Sequence, residues 1–333
     1  MPTTPSLPTR QLRTGLALTE LGFGGSQIGN LYRETTEAEA ADAVLDAFRG
    51  GIRYFDTAPH YGLGLSERRL GAALASVPRA SVVVSSKVGR LLLDAPESAD
   101  QLDPEGFAVP AVLRREWDFS RDGIRRSVES SLRRLGTDRL DIAYLHDPDD
   151  HWEQASTTAV DALVELREQG VVGAIGAGMN QAEMLTELVR RTDVDVVMVA
   201  GRLTLLDHRA LAELLPIATA RDVKVVAAAV YNSGLLSRPV VAPDAHYDYR
   251  AAPAAVVERA RRIAAVCRDH GVTLPDAAVQ YPLRHRSVAS VVVGVRTPDQ
   301  AGDTLRRYRA PIPDALWADL DEQGLAPDLG DHS

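Results

Sequence analysis

The chain has 333 residues, 45% of them hydrophobic, and a formal net charge of -9. This length suits one α/β barrel with insertions, and an acidic balance with no Lys/Arg block argues against nucleic acid as a partner. The single cysteine, Cys267, rules out an internal disulfide framework, and no His/Cys grouping has zinc spacing, so no metal is expected.

Residues 1–10 are polar and rich in Pro and Thr, without an apolar signal core. No apolar run approaches the roughly 20 residues that span a bilayer. The expectation is a cytoplasmic protein acting on a small molecule, as a monomer or small homo-oligomer. Residues 1–15 and 327–333 read as loose ends of a single domain spanning 1–333.

Short β-branched runs alternate with longer helical patterns along the chain. The first strand is predicted at Leu21–Gly25, followed by a helix over Thr36–Arg49, where Thr36 and Glu39 form a capping-box pattern. Next come Tyr54–Asp56 with a helix at Ser66–Ala75, and Ser81–Lys87 with a helix at Ser120–Leu135. Leu140–His146 precedes a helix at Glu153–Gln169, and Val172–Ala177 precedes Gln181–Arg190. Val194–Val199 precedes His208–Arg221, and Val223–Ala229 precedes Ala254–His270, where Cys267 sits in the apolar rhythm and reads as buried and inert. The last pair is Val288–Val293 and Pro298–Arg307.

The strands are near-continuous apolar runs, as expected of parallel strands buried on both faces. Eight strand–helix units predict a (β/α)8 TIM barrel of the α/β class. A doubly wound sheet is the alternative, weakened by the lack of Gly-x-Gly-x-x-Gly after the first strand. Two connections are long, Val88–Asp118 after strand 3 and Tyr231–Arg250 after strand 7. Both leave the C-terminal strand ends, where barrel active sites lie, and read as lids or binding loops.

In such a barrel the strand ends bring Asp56, Lys87, His146 and Asn180 into one space, with Tyr61 just beyond the second strand. Lys87 stands out because the only other lysine is Lys224, while arginine is abundant. An amine kept where a guanidinium would be usual suggests chemistry that needs one. A tyrosine with a pKa of about 10 is a poor proton donor or acceptor at neutral pH, and the Lys87 ammonium is expected to lower that of Tyr61. Asp56 is expected to pair with Lys87, and His146 to orient a substrate oxygen. The set suits carbonyl reduction or alcohol oxidation with the hydride carried by a cofactor.

The segment Gly51-Ile-Arg-Tyr-Phe-Asp56-Thr-Ala-Pro-His-Tyr61-Gly-Leu-Gly-Leu-Ser-Glu67-Arg-Arg-Leu-Gly71 resembles the signature of the aldo-keto reductase superfamily. Ser85-Ser86-Lys87-Val88 and Leu145-His146-Asp147-Pro148 match its later motifs, and the likeness runs from about Leu16 to Asp321. It implies a barrel that binds NADP or NAD without a Rossmann motif, with Asp56, Tyr61, Lys87 and His146 catalytic. The segments Gly178–Gln181, Ala200–Asp207 and Tyr231–Leu236 resemble the aldose 1-dehydrogenase branch, which includes L-fucose, D-threo-aldose and L-galactose dehydrogenases and a pyridoxal 4-dehydrogenase. That branch oxidises a cyclic hemiacetal carbon to a lactone.

For the cofactor, the resemblance points to Asn180 at the nicotinamide carboxamide and to Gly25, Ser26, Asp56, Ser233, Gly234 and Leu235 along the mouth. The usual glutamine on the sixth strand and stacking aromatic on the seventh are missing, which leaves Tyr231 as a stacking candidate or a packing residue. Gly294, Arg296, Thr297, Gln300 and Thr304 resemble the segment that contacts the adenosine phosphate, with Arg296 as its basic partner. Gln300 and Thr304 replace residues common in NADP-preferring members, so NAD or dual use is expected. His60, His151 and Trp152 are the substrate-facing candidates. The competing readings are a broad carbonyl reductase using NADPH, a Schiff-base aldolase through Lys87, and a nicotinamide-binding regulatory subunit.

Overall fold

A computed structural model describes residues 6–248 and 250–329. Eight parallel strands close into a barrel: β1 (Leu21–Gly24), β2 (Tyr54–Asp56), β3 (Val83–Val88), β4 (Leu140–His146), β5 (Val172–Met179), β6 (Val196–Ala200), β7 (Lys224–Ala228) and β8 (Val288–Gly294). Each pairs with its sequence neighbours, and β8 returns to β1 through Val291 opposite Leu21 and Gly294 opposite Gly24. The order is that of a (β/α)8 barrel, as the alternating pattern predicts. The outer helices include α1 (Glu37–Arg49), α2 (Leu65–Leu74), α3 (Arg121–Leu135), α4 (Val160–Glu168), α5 (Ala182–Arg191), α6 (Leu214–Ala220), α7 (Ala254–Asp269) and α8 (Pro298–Arg309).

Strand alternation divides the core into two layers. Tyr54, Val83, Ile142, Tyr144, Ala174, Val196, Met198, Val226, Ala289 and Val292 fill the barrel interior. Phe23, Phe55, Val84, Leu145, Ile175, Val197 and Val225 pack against the helices. The Thr36–Glu39 capping box forms at the start of α1: Thr36 Oγ1 accepts from Glu39 N at 3.2 Å, and Thr36 N donates to Glu39 Oε2 at 3.0 Å.

Several expectations need correction. Residues 9–11 are not loose: they pair with Ala17–Thr19 in a hairpin, and Leu12 and Leu18 join the barrel interior. Arg10 pins this hairpin to the barrel by donating to the carbonyls of Leu283, His285 and Val288. At the other end, Tyr281 Oη donates to the Pro327 carbonyl at 2.7 Å and Leu329 is buried, so residues 327–329 are packed too. Residues 1–5 and 330–333 of the expected loose ends lie outside the described residues.

The helix expected at His208–Arg221 is split into Arg209–Ala212 and α6, with Glu213 at φ -134. Pro216 explains the break, since its ring conflicts with a helical residue four positions earlier. The helix expected at Glu153–Gln169 contains a π-turn over Ala155–Ala159 before α4. The long connection after β3 is structured: Arg90–Asp94 pairs antiparallel with Leu113–Trp117. Leu274–Gln280 and Asp314–Glu322 add two helices beyond the sequence expectation, and they bury a second apolar cluster with α7.

Candidate active site

The site is built from the C-terminal ends of the strands. On β2, Tyr54 and Asp56 point inward while Phe55 packs outward. Asp56 is buried and accepts two hydrogen bonds: Ser85 Oγ donates to Oδ1 at 2.7 Å, and Lys87 Nζ donates to Oδ2 at 2.6 Å. Tyr54 and Tyr144 extend this polar ladder into the barrel, their hydroxyls 3.1 Å apart. Lys87 Nζ also donates to the Thr57 carbonyl at 3.0 Å. An ammonium has three protons, and the third faces Tyr61, whose ring centroid is 4.8 Å from Nζ.

Tyr61 is positioned by its loop. Gly62 adopts φ +63, and a Cβ there would sit 2.1 Å from the Gly29 carbonyl oxygen. A Cβ on Gly29 would in turn come within 2.8 Å of the Tyr61 backbone. The loops after β1 and β2 therefore lock together only with glycine on both sides. His146, at the end of β4, presents its ring edge-on to Tyr61 with centroids 6.0 Å apart. His60 lies 5.5 Å from the His146 ring, and Phe107 from the long β3 connection closes over both His60 and Tyr61.

Electrostatics refine this picture. Burial raises the Tyr61 hydroxyl above its ordinary range, and Lys87 draws it only partly back. The expected lowering of Tyr61 is therefore corrected: desolvation outweighs the ammonium. Burial opposes the charge on Lys87, but Asp56 and Tyr61 outweigh it and hold the ammonium above its usual range. Burial, with Arg90 and Lys87 nearby, keeps His146 neutral. Burial and then Arg90 and Arg115 lower His60 to about 2.

Thus Asp56, Tyr61, Lys87 and His146, drawn from three strands and a loop, cluster at the C-terminal end of the barrel. The family model for the aldo/keto reductase family matches residues 20–324. The chain belongs to the aldo/keto reductase family. It is 48% identical to a D-threo-aldose 1-dehydrogenase from Pseudomonas sp, over 94% of this chain and 96% of the relative. It is 37% identical to a pyridoxal 4-dehydrogenase from Microbacterium luteolum, again over 94% and 96%. Among solved structures, the aldo-keto reductase AKR11C1 from Bacillus halodurans superposes with a TM-score of 0.75 at 26% identity, covering 96% of both chains. The glycerol dehydrogenase AKR11B4 from Gluconobacter oxydans shares the fold, with a TM-score of 0.78 at 21% identity over 98% of both chains. As an aldo/keto reductase, this protein is an NAD(P)(H)-dependent oxidoreductase.

The other residues expected to serve the aldo/keto reductase site divide sharply. Gly25, Ser26 and Gly294 lie together where β1 and β8 end: a Cβ on Gly294 would be 3.8 Å from Ser26 Oγ. Gly25 is close-packed, since a Cβ would meet the Asp56 carbonyl at 2.8 Å. Asn180 follows β5 and donates to the Ala200 carbonyl at 3.2 Å. Ser233 and Gly234 sit in a turn with left-handed backbone from Asn232 through Gly234. Asn232 Oδ1 there is buried with no partner among the described residues. An orphaned acceptor on an arc of polar strand ends fits a nicotinamide dinucleotide.

The other side chains expected at the cofactor and substrate contacts have partners within the protein. Of the two readings of Tyr231 the structure supports packing: its ring lies against the apolar clusters and its hydroxyl accepts from Arg307 of α8 at 3.0 Å. The Leu235 side chain is buried in the second apolar cluster, and Thr304 lies on the buried face of α8. Arg296 is 5% exposed, and its guanidinium donates to the carbonyls of Leu31 and Arg33, to Gln27 and to Thr35. Both of its terminal nitrogens are engaged there, and it ties down the loop after β1. Thr297 caps α8 by accepting from Gln300 N, and the Gln300 side chain accepts from Arg296 N. Trp152 packs against the helix-side core, whereas the His151 ring lies tilted against Trp117 and Phe119, beside the wall that Arg90 builds.

Three residues near the site escaped the sequence reading. Arg90, three positions after Lys87, donates to Asp147 Oδ2 at 2.5 Å and pairs with His60 Nδ1 at 3.2 Å. Trp117, not Trp152, is the indole at this wall, with the Arg90 guanidinium 4.1 Å above its ring. The only available signal was adjacency, since Arg90 follows the Lys87 motif and Asp147 follows His146.

Proposed function

We propose that this enzyme oxidises the hemiacetal carbon of a cyclic aldose to a lactone, with Tyr61 handling the hydroxyl proton. The observation that carries the reading is the Asp56–Lys87 pair at 2.6 Å with Tyr61 packed against the ammonium. The 48% identical D-threo-aldose 1-dehydrogenase supports the substrate class. The whole chain serves as one catalytic unit. Bound nicotinamide supplies the hydride acceptor for oxidation, or the hydride donor in reverse. The atoms of Gly25, Ser26, Asn180, Asn232, Ser233, Gly234 and Gly294 line the arc that would hold it.

In the oxidising direction Tyr61 takes the C1 hydroxyl proton at its phenolate oxygen as the C1–H pair departs. Lys87 offsets the phenolate charge, Asp56 keeps Lys87 charged and aimed, and neutral His146 orients the reacting oxygen. We also infer a preference for NAD(H). Both terminal nitrogens of Arg296 are committed to the β1 loop, and Asp299 adds negative charge at the start of α8, which weakens the basic contact for a 2′-phosphate.

A second reading, carbonyl reduction, draws on one observation. Burial keeps Tyr61 protonated at neutral pH, the form that donates. The two are separated by assaying a panel of aldoses with NAD and with NADP against aldehyde reduction, in the wild type and in Tyr61→Phe. The expected result is lactone formation that climbs with pH. Losing a positioned proton carrier should cut it by about 10³-fold in Tyr61→Phe. NAD should be favoured over NADP by about tenfold or more, the effect of one missing charge-assisted contact. Undiminished turnover in Tyr61→Phe would sink the mechanism, and aldehyde reduction without lactone formation would favour the second reading.

A further inference from the structure

Beside Tyr61, behind His60 and His146, lies a second built pair that the proton transfer does not use. Arg90 leaves β3 through Gly89, which adopts φ +95 and abuts the Phe119 ring. Its guanidinium lies on Trp117, gives Nη2 to Asp147 and Nη1 to His60, and keeps Nε buried without a partner among the described residues. Asp147 adopts φ +38, a backbone state that non-glycine residues seldom take and that recurs at functional sites. Its Oδ2 is used by Arg90 and lies 3.6 Å from His146 Nε2. Oδ1 has no hydrogen-bond donor among the described residues, on a side chain 34% exposed.

Proton bookkeeping then fixes the polarity of this wall. Arginine only donates, so His60 Nδ1 accepts and Nε2 carries the proton. A hydroxyl therefore meets an acceptor at Asp147 Oδ1 and a donor at His60 Nε2 on neighbouring residues of one wall. Charge is balanced as well: Lys87 is paired with Asp56, Arg90 with Asp147 and Arg115 with Asp103. Among the described residues of this wall no cation is in surplus to receive an anionic group, and Asp149 adds negative charge beside Asp147.

We propose that Arg90 and Asp147 form a specificity pair that binds the ring hydroxyls of an uncharged sugar and rejects uronates and sugar phosphates. The proposal rests on the aldose reading above. The matched charges are what set the preference, so removing either member should move it in opposite directions.

The test compares kcat/KM for a neutral aldose and the corresponding uronic acid in the wild type, Asp147→Asn and Arg90→Gln. Asp147→Asn leaves Arg90 unpaired, and the uronate-to-aldose ratio should rise by about 100-fold, in the range expected for one charge-assisted bond gained and one lost. Arg90→Gln leaves Asp147 unopposed, and the ratio should fall further below that of the wild type. A folding defect alone scales both substrates together and leaves the ratio unmoved. An unmoved ratio in both variants, or a wild type that prefers the uronate, overturns the proposal. Calorimetric binding of the same two sugars in a Tyr61→Phe background supplies a readout without turnover. Sugar that binds with these preferences but is never oxidised by the wild-type enzyme defeats the aldose dehydrogenase reading and leaves the pair standing. Oxidation with an unmoved ratio does the reverse.

Discussion

Asp56 and Lys87 form an ion pair in which both side chains are 3% exposed. Removing one partner strands the other without water, and breaking such a buried pair costs about 3–5 kcal/mol. Asp56→Asn should therefore lose several kcal/mol in denaturant unfolding as well as its activity; a loss under about 1 kcal/mol would mean that water reaches the ammonium. Lys87 was legible in the sequence because lysine is so scarce, and Asp56, Tyr61 and His146 were legible through the motifs around them. Arg296 was misread, and Tyr231 left open between two readings, for a shared reason. Their partners, the Leu31 carbonyl and Arg307, lie 265 and 76 positions away, and nothing local to either residue records them. Arg90 and Asp147 stood in plain view beside the motifs, but their pairing exists only once β3 and β4 are side by side.

Among the elements, the eight strands were readable because burial on both faces leaves a run of apolar residues. The Arg90–Asp94 and Leu113–Trp117 strands were not, because their exposure is mixed and their partner lies across a long excursion. The α6 break was readable in principle from Pro216, but the surrounding helical rhythm masked it. Helix packing also sets which glycines are fixed. A Cβ on Gly71 of α2 would lie 2.2 Å from the Leu135 carbonyl at the end of α3, whereas Gly302 of α8 has nothing within 4 Å. Gly71→Ala should destabilise by about 1–3 kcal/mol through overpacking. Gly302→Ala should stabilise by about 0.5–1 kcal/mol through helix propensity. Paired thermal melts check the contrast, and equal shifts of the same sign would show that α2 and α3 move apart freely.

At the scale of the molecule, three histidines among the described residues are held neutral by burial: His60 at about 2, His208 at about 4, and His146 well below its usual range. Unfolded, each binds a proton near pH 6.5. The unfolded state therefore takes up protons first, and stability is lost as pH falls below about 6.5, by up to about 1.4 kcal/mol per pH unit for each group until its folded value is reached. Asp147 works the other way, because burial raises its folded pKa and its protonation offsets part of the loss at low pH. Denaturant unfolding should show a clearly lower stability at pH 5 than at pH 7, and His208→Gln should flatten that slope. Equal stability at both values would mean that these rings titrate in the folded protein. This acid sensitivity could not be read from the eight histidines in the sequence, because depth in the fold decides which of them titrate.

The two lysines also give the molecule a handle. Lys87 is sealed inside the mouth, while Lys224 opens β7 at the opposite end of the barrel, with 22% of its side chain exposed. An amine-reactive surface or dye that couples to a lysine side chain can therefore engage the protein only from beneath. The enzyme would be tethered with its catalytic face turned outward, an orientation that most arginine-poor proteins, with lysines on every side, do not offer.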